Sequence, residues 1–287
     1  MIFGLGAALG WGLADLWAAI SGRRIGSGRT VVVAQVASAI VISVVVLVVS
    51  PDLDGLSEVA GWLAPTALLA AAAYATLYRG LELGPIAVVS PVLASYAVIP
   101  VLLAVVLLGE SLGAWQTAGV VVTISGAVLT SADLRELRSG TGSRPAGLPW
   151  AIASTFLFGV AAYVIGWASQ RAGALPSLWF GRVSSAVVFV IAALVLGGRG
   201  PRDGAPRAPV RAGLWLAAAV GIVDLLGTLS YVVGTEVGLI SVVTAVSATY
   251  PLLPVLGGVV LLHERPAPNQ YLGVGMVIGG LVLLGVA

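Results

Sequence analysis

The chain has 287 residues, 59% of them hydrophobic and only 9% charged, against about 25% charged in an ordinary soluble domain. So few charges cannot cover the surface of a soluble globule of this size, so the composition reads as an integral membrane protein in contact with a lipid bilayer. There is no cysteine and no lysine, and all 14 basic residues are arginine, which excludes disulfides, thiolate metal sites, Schiff-base chemistry and a P-loop lysine; the net charge of +2 is too small to suggest nucleic acid.

Apolar runs of about 20 residues each cover the roughly 30 Å of a hydrocarbon core as helix. Ten are expected, at about 2–20, 30–49, 60–79, 85–108, 112–130, 148–169, 175–197, 213–234, 238–262 and 268–286. The first run, rich in Gly and Trp, has no positively charged segment before it, and it reads as a working helix rather than a cleaved leader. Most breaks carry turn or charge signals: SGRRIGSGR, PDLDGLSE, SADLRELRSGTGSRPAG, GGRGPRDGAPRAP and HERPAPN. The alternating pattern of a lipid-facing barrel is missing, so the fold class is all-α, with backbone polar groups satisfied inside each helix.

The chain repeats itself. Shifted by 154 residues, 84–129 lies on 238–283 without a gap: Gly84 meets Gly238, Tyr96 meets Tyr250, Pro100 meets Pro254, Glu110 meets Glu264 and Gln116 meets Gln270. A shift of 147 relates helices 1 and 2 to helices 6 and 7, with Trp11-Gly12 on Phe158-Gly159 and Gln35 on Arg182. The organisation is therefore a first repeat over 1–130, a linker over 131–147 and a second repeat over 148–287. Each repeat holds five helices, an odd number, so the second copy enters the membrane from the opposite side, an inverted-topology design suited to alternating access. Loop 2–3 is acidic, whereas its counterpart, loop 7–8, holds Arg199, Arg202, Arg207 and Arg211; loop 1–2 holds Arg23, Arg24 and Arg29 against Arg171 alone. The positive-inside rule then places loops 1–2, 5–6 and 7–8 in the cytoplasm and both termini outside.

Three charges fall inside predicted spans. A charge at a helix centre costs about 2.5–3.5 kcal/mol on insertion scales, so it faces a cavity or a partner. Asp224 in helix 8 pairs either with Arg182 in helix 7 or with a substrate group; the competing reading is a structural ion pair that ties the two helices together. Asp15 in helix 1 is the candidate for proton coupling, because burial favours a carboxylate's neutral form and lets it load and release a proton near neutral pH; the second copy has Ala162 at that position. Arg182 offers a guanidinium fork to a substrate carboxylate or phosphate, and its repeat partner Gln35 is a neutral group able to hydrogen-bond the same ligand. Trp11, Tyr74, Tyr78, Tyr163, Tyr231, Tyr96 and Tyr250 are candidate aromatic walls for a small amphipathic ligand, with packing or interface-belt roles as the alternative. Pro100 and Pro254, inside helices 4 and 9, each remove one backbone hydrogen bond and are candidate hinges, or static bends. Glu110 and Glu264 read as caps for the N–H groups that open helices 5 and 10. His263, the single histidine, has no companion ligand and makes no metal site; no cofactor is expected. Gly4, Gly6, Gly10 and Gly12 in helix 1, and Gly275 and Gly279 in helix 10, read as close-packing faces, with a homodimer contact as a further use.

Ten helices in two five-helix repeats, with the "P…LLGE…Q..G" string in each copy, resemble the EamA-type branch of the drug/metabolite transporter superfamily. The resemblance covers nearly the whole chain and is strongest over 84–129 and 238–283; Trp11-Gly12 and Arg182, which sits where the family tends to place an arginine in the second helix of a repeat, also fit. Asp15 is similar, by rough position, to the first-helix glutamate of the small multidrug-resistance relatives. The resemblance implies a multi-pass secondary transporter of a bacterial inner membrane, exporting small metabolites such as amino acids, or drugs, under a proton, other ion or substrate gradient. It implies no covalent chemistry, and so no enzyme. A passive facilitator of the same fold and a non-transporting membrane subunit remain as alternatives. Members of the family usually keep both termini cytoplasmic, the reverse of what the arginine count gives here. The expected cavity lies between helices 1, 3, 4 and 6, 8, 9, with helices 2 and 7 near its mouths.

Overall fold

The computed structural model describes residues 1–83, 92–131, 134, 146–196, 210–250, 252–253 and 267–286. Over these the chain forms α1 (Ile2–Ile25), α2 (Ser27–Val49), α3 (Leu56–Leu83), α4 (Val98–Leu107), α5 (Ala114–Ser131), α6 (Leu148–Ala172), α7 (Ala174–Leu196), α8 (Val210–Val237), α9 (Ile240–Ser247) and α10 (Pro268–Val286), and no strand occurs among the described residues. Six of them, α1 to α3 and α6 to α8, are long and apolar enough to cross a membrane; residues 92–107, 114–130 and 268–284 form shorter apolar helices. Large apolar side chains such as Leu47, Val48, Leu194 and Trp215 point outward, as they do where lipid, not water, surrounds the bundle.

The first break is shorter than the charges of SGRRIGSGR suggest. The helix runs through Arg23 and Arg24 to Ile25, and the chain reverses at a single residue, Gly26, whose φ of 87° suits glycine alone. Gly173 does the same between α6 and α7 with φ 83°. The two positions are 147 residues apart, the offset that relates Trp11 to Phe158.

Helices pair by close backbone approach. α1 packs along α8, α3 along α6, α2 against α7, and α5 against α10. Several neighbours have counterparts when the halves are exchanged: α1–α8 maps onto α6–α3, α2–α8 onto α7–α3 and α1–α9 onto α6–α4. A Cβ on Gly10 would come within 2.5 Å of the Gly227 Cα, and one on Gly12 within 2.8 Å of the Tyr250 carbonyl oxygen. In α10 the packing glycines are Gly273 and Gly280, not Gly275 and Gly279. Residues 273 and 280 lie two turns apart on one face, against Gly126 and Gly119 of α5, while 275 and 279 meet nothing within 4 Å. The contact is reciprocal: Gly119 faces Gly280 and Gly126 faces Gly273, each the other's partner under the 154-residue shift.

Glu110 caps a different helix from the one expected. Gly109, at φ 68°, turns the chain so that the Glu110 carboxylate accepts the Ile240 N–H at 2.7 Å, the Ser241 N–H at 3.1 Å and the Ser241 hydroxyl at 2.6 Å. It closes the N-terminus of α9, in the other half, rather than α5. A sequence places a carboxylate at a helix–loop boundary but cannot say which of several helix ends lies beside it. Glu264 and His263 lie outside the described residues.

Pro100 is the third residue of α4 rather than the middle of a long helix. The irregularity precedes it, as a 3₁₀ turn over Ser95–Ala97, the natural outcome where proline cannot donate to the preceding turn. Thr249, Tyr250, Leu252 and Leu253 carry the same signature, their N–H groups bonded three residues back. Pro254 itself lies outside the described residues.

Apart from Asp15, Arg182 and Asp224 within the spans, several charges lie toward the two ends of the bundle. Arg24 and Ile25 meet Gly213 at the start of α8, where the Ser21 hydroxyl donates to the Gly213 carbonyl at 3.0 Å and shares a bond with Thr30. At the far end Gly55 meets the Arg171 carbonyl and Ala172, Arg171 stacks on Trp167, and Glu236 accepts the Ala174 N–H at 3.0 Å. The acidic residues Asp52, Asp54 and Glu58 of loop 2–3 and the start of α3 belong to that far end.

Candidate substrate cavity

Helical spacing brings the polar residues of several helices to one level. Trp11 and Asp15 are one turn apart on α1, and Asp224 and Thr228 one turn apart on α8, so each pair shares a face. These faces, with Gln35 of α2, Tyr74 of α3, Phe158 of α6 and Arg182 of α7, surround a cavity of ≈ 300 Å³. A second chamber of ≈ 160 Å³ adjoins it, shares Asp15, Gln35, Tyr74, Arg182 and Asp224, and runs toward Ser27 and Thr30. Helices α2 and α7 thus supply the centre of the cavity and not only its mouths. Neither α5 nor α10 lines it.

The Arg182 Nη1 lies 2.6 Å from the Asp224 Oδ2. Its Nη2 donates to the Thr228 hydroxyl and reaches the Asp224 carbonyl at 3.5 Å. Thr228 in turn donates to the Asp224 carbonyl at 2.9 Å and accepts the Trp11 indole N–H at 3.2 Å. One threonine therefore ties α1, α7 and α8 together. Sequence reading passed over it, although its position one turn beyond Asp224 was the available signal. Ion pairing of this kind offsets part of the cost of an isolated charge at membrane depth.

Asp15 is placed differently. It lines both chambers and is exposed to them, and it makes no hydrogen bond or ion pair among the described residues. Gln35 is buried, and its Oε1 finds no donor among the described residues.

The aromatic walls come from both halves. Tyr96 and Tyr250 meet with ring centroids 6.4 Å apart. Tyr74 stands edge-on to Phe158 at 5.0 Å and to Phe189 at 5.7 Å. Trp11 packs 5.5 Å from Tyr231, which lies behind the wall with its hydroxyl bonded to the Ala162 carbonyl and to Thr244. Tyr163 does not join the cavity. It sits one residue past the lining Ala162, on another face of α6, and packs with Ala104 and Ile240. Tyr78 lies on α3, and its side chain is outside the described set. No cluster of three or more metal-ligating side chains occurs among the described residues.

The sequence pattern of the EamA-like transporter family matches residues 1–132 and 145–286. Among curated proteins none matches the chain in sequence. Twenty-eight solved chains match it in fold; one, titled only as the crystal structure of a protein, superposes with a TM-score of 0.79 at 19% identity, over 99% of this chain and 97% of that one. With apolar helices long enough to cross a bilayer, a cavity lined by both halves and a family match over both halves, the chain is a multi-pass membrane protein that belongs to the EamA-like transporter family.

Proposed function

We propose that the protein is a secondary active transporter that exports small metabolites, amino acids or related compounds, or drugs by alternating access, with two inverted five-helix halves, 1–130 and 148–287, about one central site. One observation carries this reading. The cavity is lined by residues that the two internal shifts relate to one another: Trp11 with Phe158, Gln35 with Arg182, Tyr96 with Tyr250, Tyr74 with Thr228 and Ala70 with Asp224. A cavity built from matched positions of two copies lies on the axis that exchanges them. With five helices per copy, that axis lies in the membrane plane, and rocking the copies exposes the same site to either side in turn. The reciprocal Gly119–Gly280 and Gly126–Gly273 contacts support the same axis.

The protein is placed in the bacterial inner membrane with the end that gathers Arg24, Arg29 and Arg211 in the cytoplasm. Asp15 is the coupling group: among the described residues it is the cavity carboxylate without a hydrogen bond or ion pair, and a proton and a ligand would compete for it, with Asp224, Arg182, Tyr74, Tyr96 and Tyr250 facing the same space. The tight turns before Pro100 and Pro254 are the hinge points.

Purified protein reconstituted in vesicles, screened with radiolabelled solutes with and without an imposed proton gradient, tests the reading. Gradient-dependent flux that Asp15→Asn abolishes is the expected result. Flux indifferent to every ion gradient makes the protein a passive facilitator, and no flux of any solute makes it a non-transporting subunit.

A further inference from the structure

Within a transporter, the charge inventory of a cavity selects its cargo, and this inventory is unequal. Among the described lining residues two carboxylates, Asp15 and Asp224, face one guanidinium, Arg182. Arg182 is engaged: Asp224 takes one arm of its fork, and Thr228 with the Asp224 carbonyl takes the other. A ligand carboxylate would have to displace Asp224 from that arm and then sit in a low-dielectric space beside two like charges, where Coulomb energies are several times those in water. Asp15 is not engaged. It faces both chambers with no ion pair or hydrogen bond among the described residues, so in its ionised form it leaves one negative charge without a counter-charge there. The surrounding walls are ring faces and edges of Trp11, Tyr74, Tyr96, Phe158 and Tyr250, surfaces that attract a cation and tolerate an apolar body. The Gln35 Oε1 adds a buried acceptor without a donor among the described residues, which an N–H group on a ligand would satisfy; a buried polar atom left unmet costs about 1–3 kcal/mol.

We propose, resting on the transporter reading above, that the cavity takes a protonated amine with an apolar or aromatic body and no carboxylate. Asp15 is its counter-ion, the aromatic walls hold its body, and the Arg182–Asp224 pair is a scaffold rather than an anion receptor. Free amino acids carry the wrong second charge for this site, so the cargo class narrows to monoamines and related organic cations.

Three probes of one shape separate the possibilities: phenethylamine, phenylalanine and 3-phenylpropionate, titrated calorimetrically onto purified protein. Phenethylamine is expected to bind, with phenylalanine at least about tenfold weaker, a gap of about 1.4 kcal/mol, and 3-phenylpropionate weaker still. Asp15→Asn is expected to cost the amine about tenfold or more in affinity, while Asp15→Glu, which keeps the charge, retains binding; unfolding temperatures of both variants establish that they fold. Phenylalanine or 3-phenylpropionate binding as tightly as the amine overturns the inference, as does amine binding that Asp15→Asn leaves unchanged or no amine binding at all. Vesicle flux is measured separately. Amine binding without flux refutes the transporter reading and spares the cation site, whereas flux of a carboxylate-bearing solute that Arg182→Gln abolishes spares the transporter and refutes the cation site.

Discussion

Replacing Glu110 by alanine tests how the two halves are held together. The carboxylate accepts two backbone N–H groups and one hydroxyl at the start of α9, at 2.7, 3.1 and 2.6 Å. Hydrogen bonds to a charged group contribute about 1.5–3 kcal/mol each when fully formed, and loss of a helix N-cap by itself costs about 0.5–2 kcal/mol. Glu110 is only partly buried, and water would take over some of the freed donors, so the net loss is set below the roughly 4.5 kcal/mol that three such bonds would sum to at the low end, at about 3 kcal/mol. At about 2–4 °C per kcal/mol for a chain of this size, the unfolding temperature should fall by about 6–12 °C. Thermal unfolding of the purified protein in one fixed detergent, followed by far-ultraviolet circular dichroism, reads it. Ser241→Ala removes the shortest of the three bonds and should cost about 1 kcal/mol. The double variant should fall short of the sum, because both substitutions act on one network. A drop below about 1 °C for Glu110→Ala would mean that the carboxylate is not the cap of α9.

The other expectations are simpler. Gly221→Ala should destabilise by about 1–3 kcal/mol, the usual range for overpacking, because its Cβ would press on the Ala34 backbone carbonyl, which cannot swing aside; Gly275→Ala, with nothing within 4 Å, should be neutral or gain up to about 1 kcal/mol of helix propensity. The same melting assay checks both. Asp224→Asn should cost about 2 kcal/mol by stranding Arg182, a figure reduced from that of a fully buried pair because Asp224 is 29% exposed. The Arg182→Gln, Asp224→Asn double variant should recover part of that loss, and a double-mutant cycle of unfolding temperatures reads the coupling.

Much of the bundle was legible from the sequence because lipid imposes a simple code. A segment must be apolar for about 20 residues and satisfy its backbone internally, so the ten helices and the repeat could be read from hydropathy and self-comparison. Gly26 and Gly173 were present in the string at the 147-residue offset, and reading them as related reversal points would have removed the overlong first loop. Asp15, Arg182 and Asp224 were marked because a charge at membrane depth is rare and needs a reason, and Gln35 because the 147-residue shift lays it on Arg182.

Tertiary structure decided everything that depends on which faces meet. Tyr163 and the lining Ala162 are neighbours in sequence, but one residue turns a helix by about 100°, and that rotation alone takes the ring out of the cavity. Thr228 carries no charge and drew no notice, but it joins Trp11, Arg182 and Asp224 because α1, α7 and α8 converge on it. Glu110 looked like the cap of the next helix and serves one 130 residues away. Hydropathy is a property of each segment taken singly, so the chain alone could specify its segments; partners, caps and unbalanced charge are properties of pairs of faces, and only the packed bundle sets those.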